Sequence, residues 1–163
     1  MPNAQIRLFR PEDLPRLCEI AVRAWEPVFA DYCARMGDEM FEAVFGPDWR
    51  AEKSRQIEDF CQKQPQCCLV SELDGQVVGF ITYYLKRDRQ IGEIGNNAID
   101  PDCQGQGLGT EQYRAVLEAC RLEGMRFVAV TTGLDPAHAP ARAAYEKAGF
   151  KQMVPMVEYY QRL

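Results

Sequence analysis

Apolar positions change period along the chain, and each change marks an element. Residues 5–9 alternate between apolar and polar, which predicts a short strand. Pro11-Glu12-Asp13 follows, with proline and acids where the first turn of a helix favours them. Leu14, Leu17, Cys18, Ala21, Val22 and Trp25 then recur at helical spacing and make one apolar stripe. Pro27 is expected to interrupt this helix. Residues 38–64 form a second helical region, broken near Gly46-Pro47.

The period then drops toward that of strands. Residues 67–73 and 77–85 read as two strands joined by the hairpin turn Asp74-Gly75. Arg89-Gln90 marks another turn, and 91–99 is a third strand ending at Asp100-Pro101. After a glycine-rich turn, 108–123 is helical, with Tyr113, Val116, Leu117 and Cys120 on one face and Gly124 as a left-handed cap. Residues 126–132 are nearly all apolar, which predicts a central strand. Residues 140–148 form a short helix stopped by Gly149, and 156–160 form a last strand. The order predicts an α/β fold: a mixed, mostly antiparallel central sheet with helices on both faces. With neither repeat nor long linker, residues 1–163 read as a single domain.

Composition narrows the chemistry. The net charge of −5 and the absence of a basic patch argue against a nucleic-acid partner. Seven cysteines without a CxxC pair, beside a single histidine, argue against both a disulfide framework and a zinc site. Reduced cysteines and no signal-peptide core in residues 1–10 point to the cytoplasm, and no apolar stretch is long enough to span a bilayer.

The turn Gln104-Gly105-Gln106-Gly107-Leu108-Gly109-Thr110 carries the most specific chemistry. Glycines let backbone N–H groups face a ligand, and the helix behind aims its positive end at the same point. A P-loop would need a lysine and a serine or threonine after the glycines, and a dinucleotide turn would need GxGxxG; neither is present. Coenzyme A is the remaining pyrophosphate carrier.

A second segment sharpens this. Gln104-x-x-Gly107-x-Gly109 resembles the Q/R-x-x-G-x-G/A signature of the GNAT superfamily of acetyl-CoA-dependent N-acetyltransferases. Residues 138–150, with Ala141, Tyr145, Lys147, Gly149 and Phe150, resemble its N-x-x-A-x-x-x-Y-x-K-x-G-F segment. The resemblance is strong over residues 91–150 and rests on topology elsewhere. It implies the acyl-CoA N-acyltransferase fold, with acetyl-CoA as co-substrate and no metal.

Residue by residue, the resemblance implies that backbone groups of Asn97, Ala98 and Ile99 hold the pantetheine arm and the thioester carbonyl. The backbone of Gly105, Gln106, Gly107, Leu108, Gly109 and Thr110 would cradle the pyrophosphate. Gln104 stands where arginine is common, and His138 where asparagine contacts the arm, so both depart from the pattern; Ala141 is the next matched position. Tyr145 is expected to protonate the departing thiolate. Glu93 is the candidate base: in a regular strand Glu93, Gly95, Asn97 and Ile99 share a face, which sends Glu93 along the side that ends at the thioester. Cys103 beside the turn lacks a histidine partner and reads as an inert thiol.

The acceptor is an amine whose identity the sequence leaves open. Trp25, Glu26, Phe29, Asp31, Tyr32, Glu39 and Phe41, between the first helices, combine acids and aromatics that suit a cation. A non-catalytic acyl-CoA sensor and a transferase of hydroxyls or longer acyl groups share these motifs. Exposed sheet edges are compatible with a homodimer.

Overall fold

A computed structural model describes residues 4–163; Met1–Asn3 of the expected domain lie outside the described residues. Five strands form one sheet in sequence order: β1 (Ala4–Leu8), β2 (Cys68–Leu73), β3 (Gln76–Lys86), β4 (Ile91–Ile99) and β5 (Phe127–Val130). The first four pair antiparallel and β5 pairs parallel to β4, giving the expected mixed α/β sheet. The β2–β3 turn takes positive φ at both Asp74 and Gly75, the twist that a two-residue hairpin requires.

Helices α1 (Leu14–Met36), α2 (Asp38–Phe45) and α3 (Trp49–Lys63) precede β2, α4 (Leu108–Leu122) follows β4, and α5 (Ala139–Ala148) follows β5. Gly79 and Gly92 of the sheet lie over Gln112 and Cys120 of α4, which places α4 on one face. On the other face, Phe60 of α3 meets Tyr84 edge-on at 5.0 Å. Phe80 and Ile81, successive residues of β3, are both sealed from solvent, so this strand is covered on both sides. Leu17 and Ile20 of α1, Ile57 of α3, Val70 of β2 and Val116 of α4 complete the sealed core, each contributing about 1.5–3 kcal/mol of burial.

Three expectations change. Helix α1 runs through Pro27 instead of stopping there. The turn beyond the proline packs Phe29 against Phe41, Phe45 and Trp49, and this contact offsets the lost backbone hydrogen bond. The apolar run 126–132 is not central: only Phe127–Val130 is strand, it is the edge of the sheet, and Phe127 is exposed. Residues 156–160 form no strand; Met156, Val157 and Tyr159 are exposed, so β5 gains no second neighbour. The break at Gly46-Pro47 separates α2 from α3 as expected. No helix among the described residues is long and apolar enough to cross a membrane.

Candidate active site

The site begins where two parallel strands part. Pairing of β4 with β5 ends at Ile94↔Val130, while β4 continues to Ile99. A gap therefore opens beside residues 95–99 of β4. On its other edge β4 carries a bulge: Gly95 and Asn96 together stand opposite the single residue Thr82. The Thr82 hydroxyl accepts from the Asn96 N–H at 2.8 Å and donates to the Asn96 carbonyl at 3.0 Å, replacing the broken ladder. Gly95 is required there, because a Cβ would come within 2.9 Å of the Thr82 hydroxyl and 3.1 Å of the Tyr84 ring.

The extra residue reverses the alternation of side chains. Asn97 points to the α4 face, where its Nδ2 donates to the Tyr113 hydroxyl at 2.8 Å. Asn96 points to the opposite face, where its Oδ1 accepts from Lys53 Nζ at 2.7 Å. Glu93 precedes the bulge and shares a face with its cross-strand partner Tyr84, hence with α3. The expected common face of Glu93 and Asn97 is therefore not formed. Glu93 is ion-paired with Lys86, and its side chain is 40 % exposed.

Tyr145 of α5 is buried and its ring packs 4.5 Å from the Tyr113 ring, which links it to Asn97 through one neighbour. Burial pushes the Tyr145 hydroxyl above its ordinary value, with the Tyr113 hydroxyl acting against that shift. It is thus protonated at neutral pH.

The glycine turn is held from below. The Asp100 N–H donates to the Val78 carbonyl at 2.8 Å, and the Cys103 N–H to the Asp100 carbonyl at 2.8 Å. The carboxylate of Asp100, 1 % exposed, accepts from Arg16 and, on both oxygens, from Arg23 Nη1 (2.8 and 2.7 Å), two arginines of α1. Gln104, exposed, folds its side chain back and donates to the Ile99 carbonyl at 3.1 Å, so it braces the turn. Gly107 adopts φ +84° and caps α4, with no side chain supplying a cap hydrogen bond. The first N–H groups of α4 thus face open space over Gly105, Gly107 and Gly109, an arrangement suited to a phosphate. His138 is engaged rather than free: its Nδ1 lies 2.6 Å from Asp135 Oδ2. Burial alone would raise the Asp135 carboxyl, but the His138 contacts hold it below the usual range. Ala141 is half-buried one turn further along α5. Among the described residues no cluster of His, Cys, Asp or Glu could hold a metal ion, and the Cys103 thiol is free.

On the α1–α3 face a cavity of about 320 Å³ is walled by Phe29, Phe45, Trp49, Glu52, Lys53 and Gln56. The acids expected to receive a cation do not form it. Glu26 pairs with Arg50 and Glu39 with Arg162 at exposed positions, and the half-buried Asp31 pairs with Arg35. Of the residues that build this site, Lys53, Tyr113 and Asp100 were not singled out from sequence. Lys53 had a readable signal: Trp49, Lys53, Ile57 and Phe60 share one buried helical stripe, and a lysine interrupts it.

The profile of the acetyltransferase (GNAT) family matches residues 16–150. A mycothiol acetyltransferase of Saccharomonospora viridis is 34% identical over 102 residues, covering 57% of this chain and 32% of that protein. The chain therefore spans about a third of the length of that relative. An S-(2-succino)cysteine N-acetyltransferase of Bacillus subtilis is 25% identical over 149 residues, 88% of this chain and 82% of that protein. In three dimensions the chain is similar to the crystal structure of a PaiA N-acetyltransferase from Thermoplasma acidophilum in complex with coenzyme A, with TM-score 0.70 and 19% identity over 91% of this chain and 90% of that one.

Proposed function

The chain belongs to the acetyltransferase (GNAT) family, and we propose that it moves the acetyl group of acetyl-CoA to a primary amine by direct attack in a ternary complex. The observation that carries this reading is the parting of β4 from β5 beside Asn97, whose partner Tyr113 packs on Tyr145, with the open N-terminus of α4 at its end. A thioester arm laid along Asn97, Ala98 and Ile99 meets backbone groups that can hold its carbonyl, and the same groups stabilise the oxyanion of the tetrahedral intermediate. The N–H groups of residues 105–110 receive the pyrophosphate, with Gln104 bracing the turn from beneath. His138, which caps α5, and Ala141 within it border the arm.

The acceptor enters from the α1–α3 face, the face on which Glu93 stands. Its ammonium first loses a proton through water to Glu93, because only the free amine has a lone pair to attack with. The amine nitrogen then bonds to the acetyl carbon, the carbon–sulfur bond breaks, and Tyr145 gives its proton to the departing sulfur. The acylated nitrogen gives up its remaining surplus proton to water as the intermediate collapses, and solvent restores the Tyr145 hydroxyl and takes the proton held by Glu93. Holding both reactants in one groove supplies a large part of the rate. Both curated relatives described above are named acetyltransferases, and the second one's name specifies an N-acetyltransferase, which supports the reaction class.

The test is release of free thiol from acetyl-CoA against polyamines, aminoglycosides, amino acids and peptide N-termini. Turnover with one class, and initial-rate lines that intersect when both substrates are varied, are the expected results. Acetyl-CoA binding without turnover on any amine would overturn the reading in favour of a sensor, and parallel lines would overturn direct attack.

A further inference from the structure

Lys53 is a cation for which the described residues provide no anion. It is 7 % exposed, and among the described residues it forms no ion pair. Its ammonium lies 3.8 Å from the centre of the Trp25 ring and donates one hydrogen bond, to Asn96. An ammonium has three N–H donors, so the fixed neighbours leave donor capacity unspent. The residue is also part of the wall of the cavity between α1, α2 and α3, whose other charged wall residue, Glu52, is already paired with Arg55. The unneutralised charge of that cavity is therefore positive, and its walls are Phe29, Phe45 and Trp49.

We propose that the acceptor of this enzyme carries a carboxylate as well as an amine, and that Lys53 binds the carboxylate while the aromatic walls hold an apolar body. A buried cation attracts an anion strongly because little water screens the pair, and the pair in turn stabilises the charged lysine. Burial pushes the free Lys53 ammonium down to about 8, a cost that a bound carboxylate would relieve. The bond from Lys53 to Asn96 places this anion site beside the bulge of β4, one residue from Asn97, so an amine on the same small molecule is delivered toward the gap. This inference rests on the transferase reading above for the amine, but not for the anion site.

The two are separated by a probe that cannot be acetylated. 3-Phenylpropanoate has the carboxylate and the ring but no amine. Its binding is read by the fluorescence of Trp25 and Trp49, the only tryptophans of the chain, one against the Lys53 ammonium and the other in the cavity wall. The carboxylate should bind at least tenfold tighter than 3-phenylpropanamide. Lys53→Met should abolish that preference while melting no lower than the parent, and Lys53→Arg should restore part of it. Equal binding of acid and amide, or a preference that survives Lys53→Met, would overturn the anion site. In the transfer assay, L-phenylalanine should exceed L-phenylalaninamide by tenfold or more in kcat/KM, and Lys53→Met should erase that ratio with KM for acetyl-CoA unchanged. An equal loss on both acceptors would overturn the proposal by showing that Lys53 acts on the strand. Retained carboxylate binding with no thiol release from any amine would leave the anion site standing and overturn the transferase reading.

Discussion

The two faces of β4 are built by opposite means. On the α4 face most of the site is backbone: a parted strand, positive-φ glycines and a helix N-terminus with no side-chain cap. On the α1–α3 face it is made of side chains: an aromatic wall and one buried ammonium. A site built of backbone is insensitive to most substitutions other than those of its glycines. A side-chain site can change its ligand with one residue. The difference teaches where a common reaction and a particular substrate are stored in the same fold.

The comparison can be broken most severely at the joint between the faces. Asp100→Ala leaves Arg16 and Arg23 without their buried partner and frees the glycine turn from α1. Both arginines are about one-third exposed, which tempers the cost; urea unfolding should show a loss of about 3 kcal/mol, with CoA binding weakened as well. Tyr145→Phe should act only on chemistry. Steady-state assays should show kcat lower by about 10–100-fold with KM for acetyl-CoA within twofold, and unchanged kcat would remove the acid role. Gly107→Ala tests the backbone site alone. At φ +84° the added Cβ costs about 1–2 kcal/mol and projects into the open cradle, so calorimetry should report CoA binding about tenfold weaker.

The smallest effect is one of opposite sign. Lys53→Met replaces an unpaired buried ammonium with an apolar chain and gives up one hydrogen bond, so it should stabilise the protein at pH 7 by about 1–2 kcal/mol. Free Lys53 titrates near 8 in the folded chain and near 10.5 when unfolded. Between those values the unfolded chain binds more protons, so the parent gains stability as pH rises. Thermal melts at pH 7 and pH 10 should therefore show the advantage of Lys53→Met shrinking with pH.

The same division decides what the sequence could reveal. The glycine turn, α4 and the segment around Tyr145 were legible because backbone demands restrict residue type: glycine at positive φ, apolar residues at helical spacing. The β2–β3 hairpin was legible at Asp74-Gly75 for the same reason. The bulge was not, because nothing local distinguishes a strand glycine opposite a threonine from any other, and the reading of Glu93 beside Asn97 failed on that one residue. Pro27 misled because its local cost was judged without the aromatic cluster around Phe29. The apolar run at 126–132 misled because burial of an edge strand depends on a neighbour that another part of the chain must supply. Asp100 and Lys53 depend on partners far away in sequence, at Arg16, Arg23 and Asn96.

The bulge of β4 has a consequence for how such a chain can change. Deleting one residue at Gly95-Asn96 would restore an unbroken antiparallel ladder and a more regular sheet. It would also carry Asn97 off Tyr113 and into the helical layer opposite, exchanging the inventories of the two sides from that point on. Under the proposed reaction, the tidier sheet would be the inert one. A single surplus residue thus sets the parity of the strand, and selection for ladder regularity and selection for turnover pull against each other at that position.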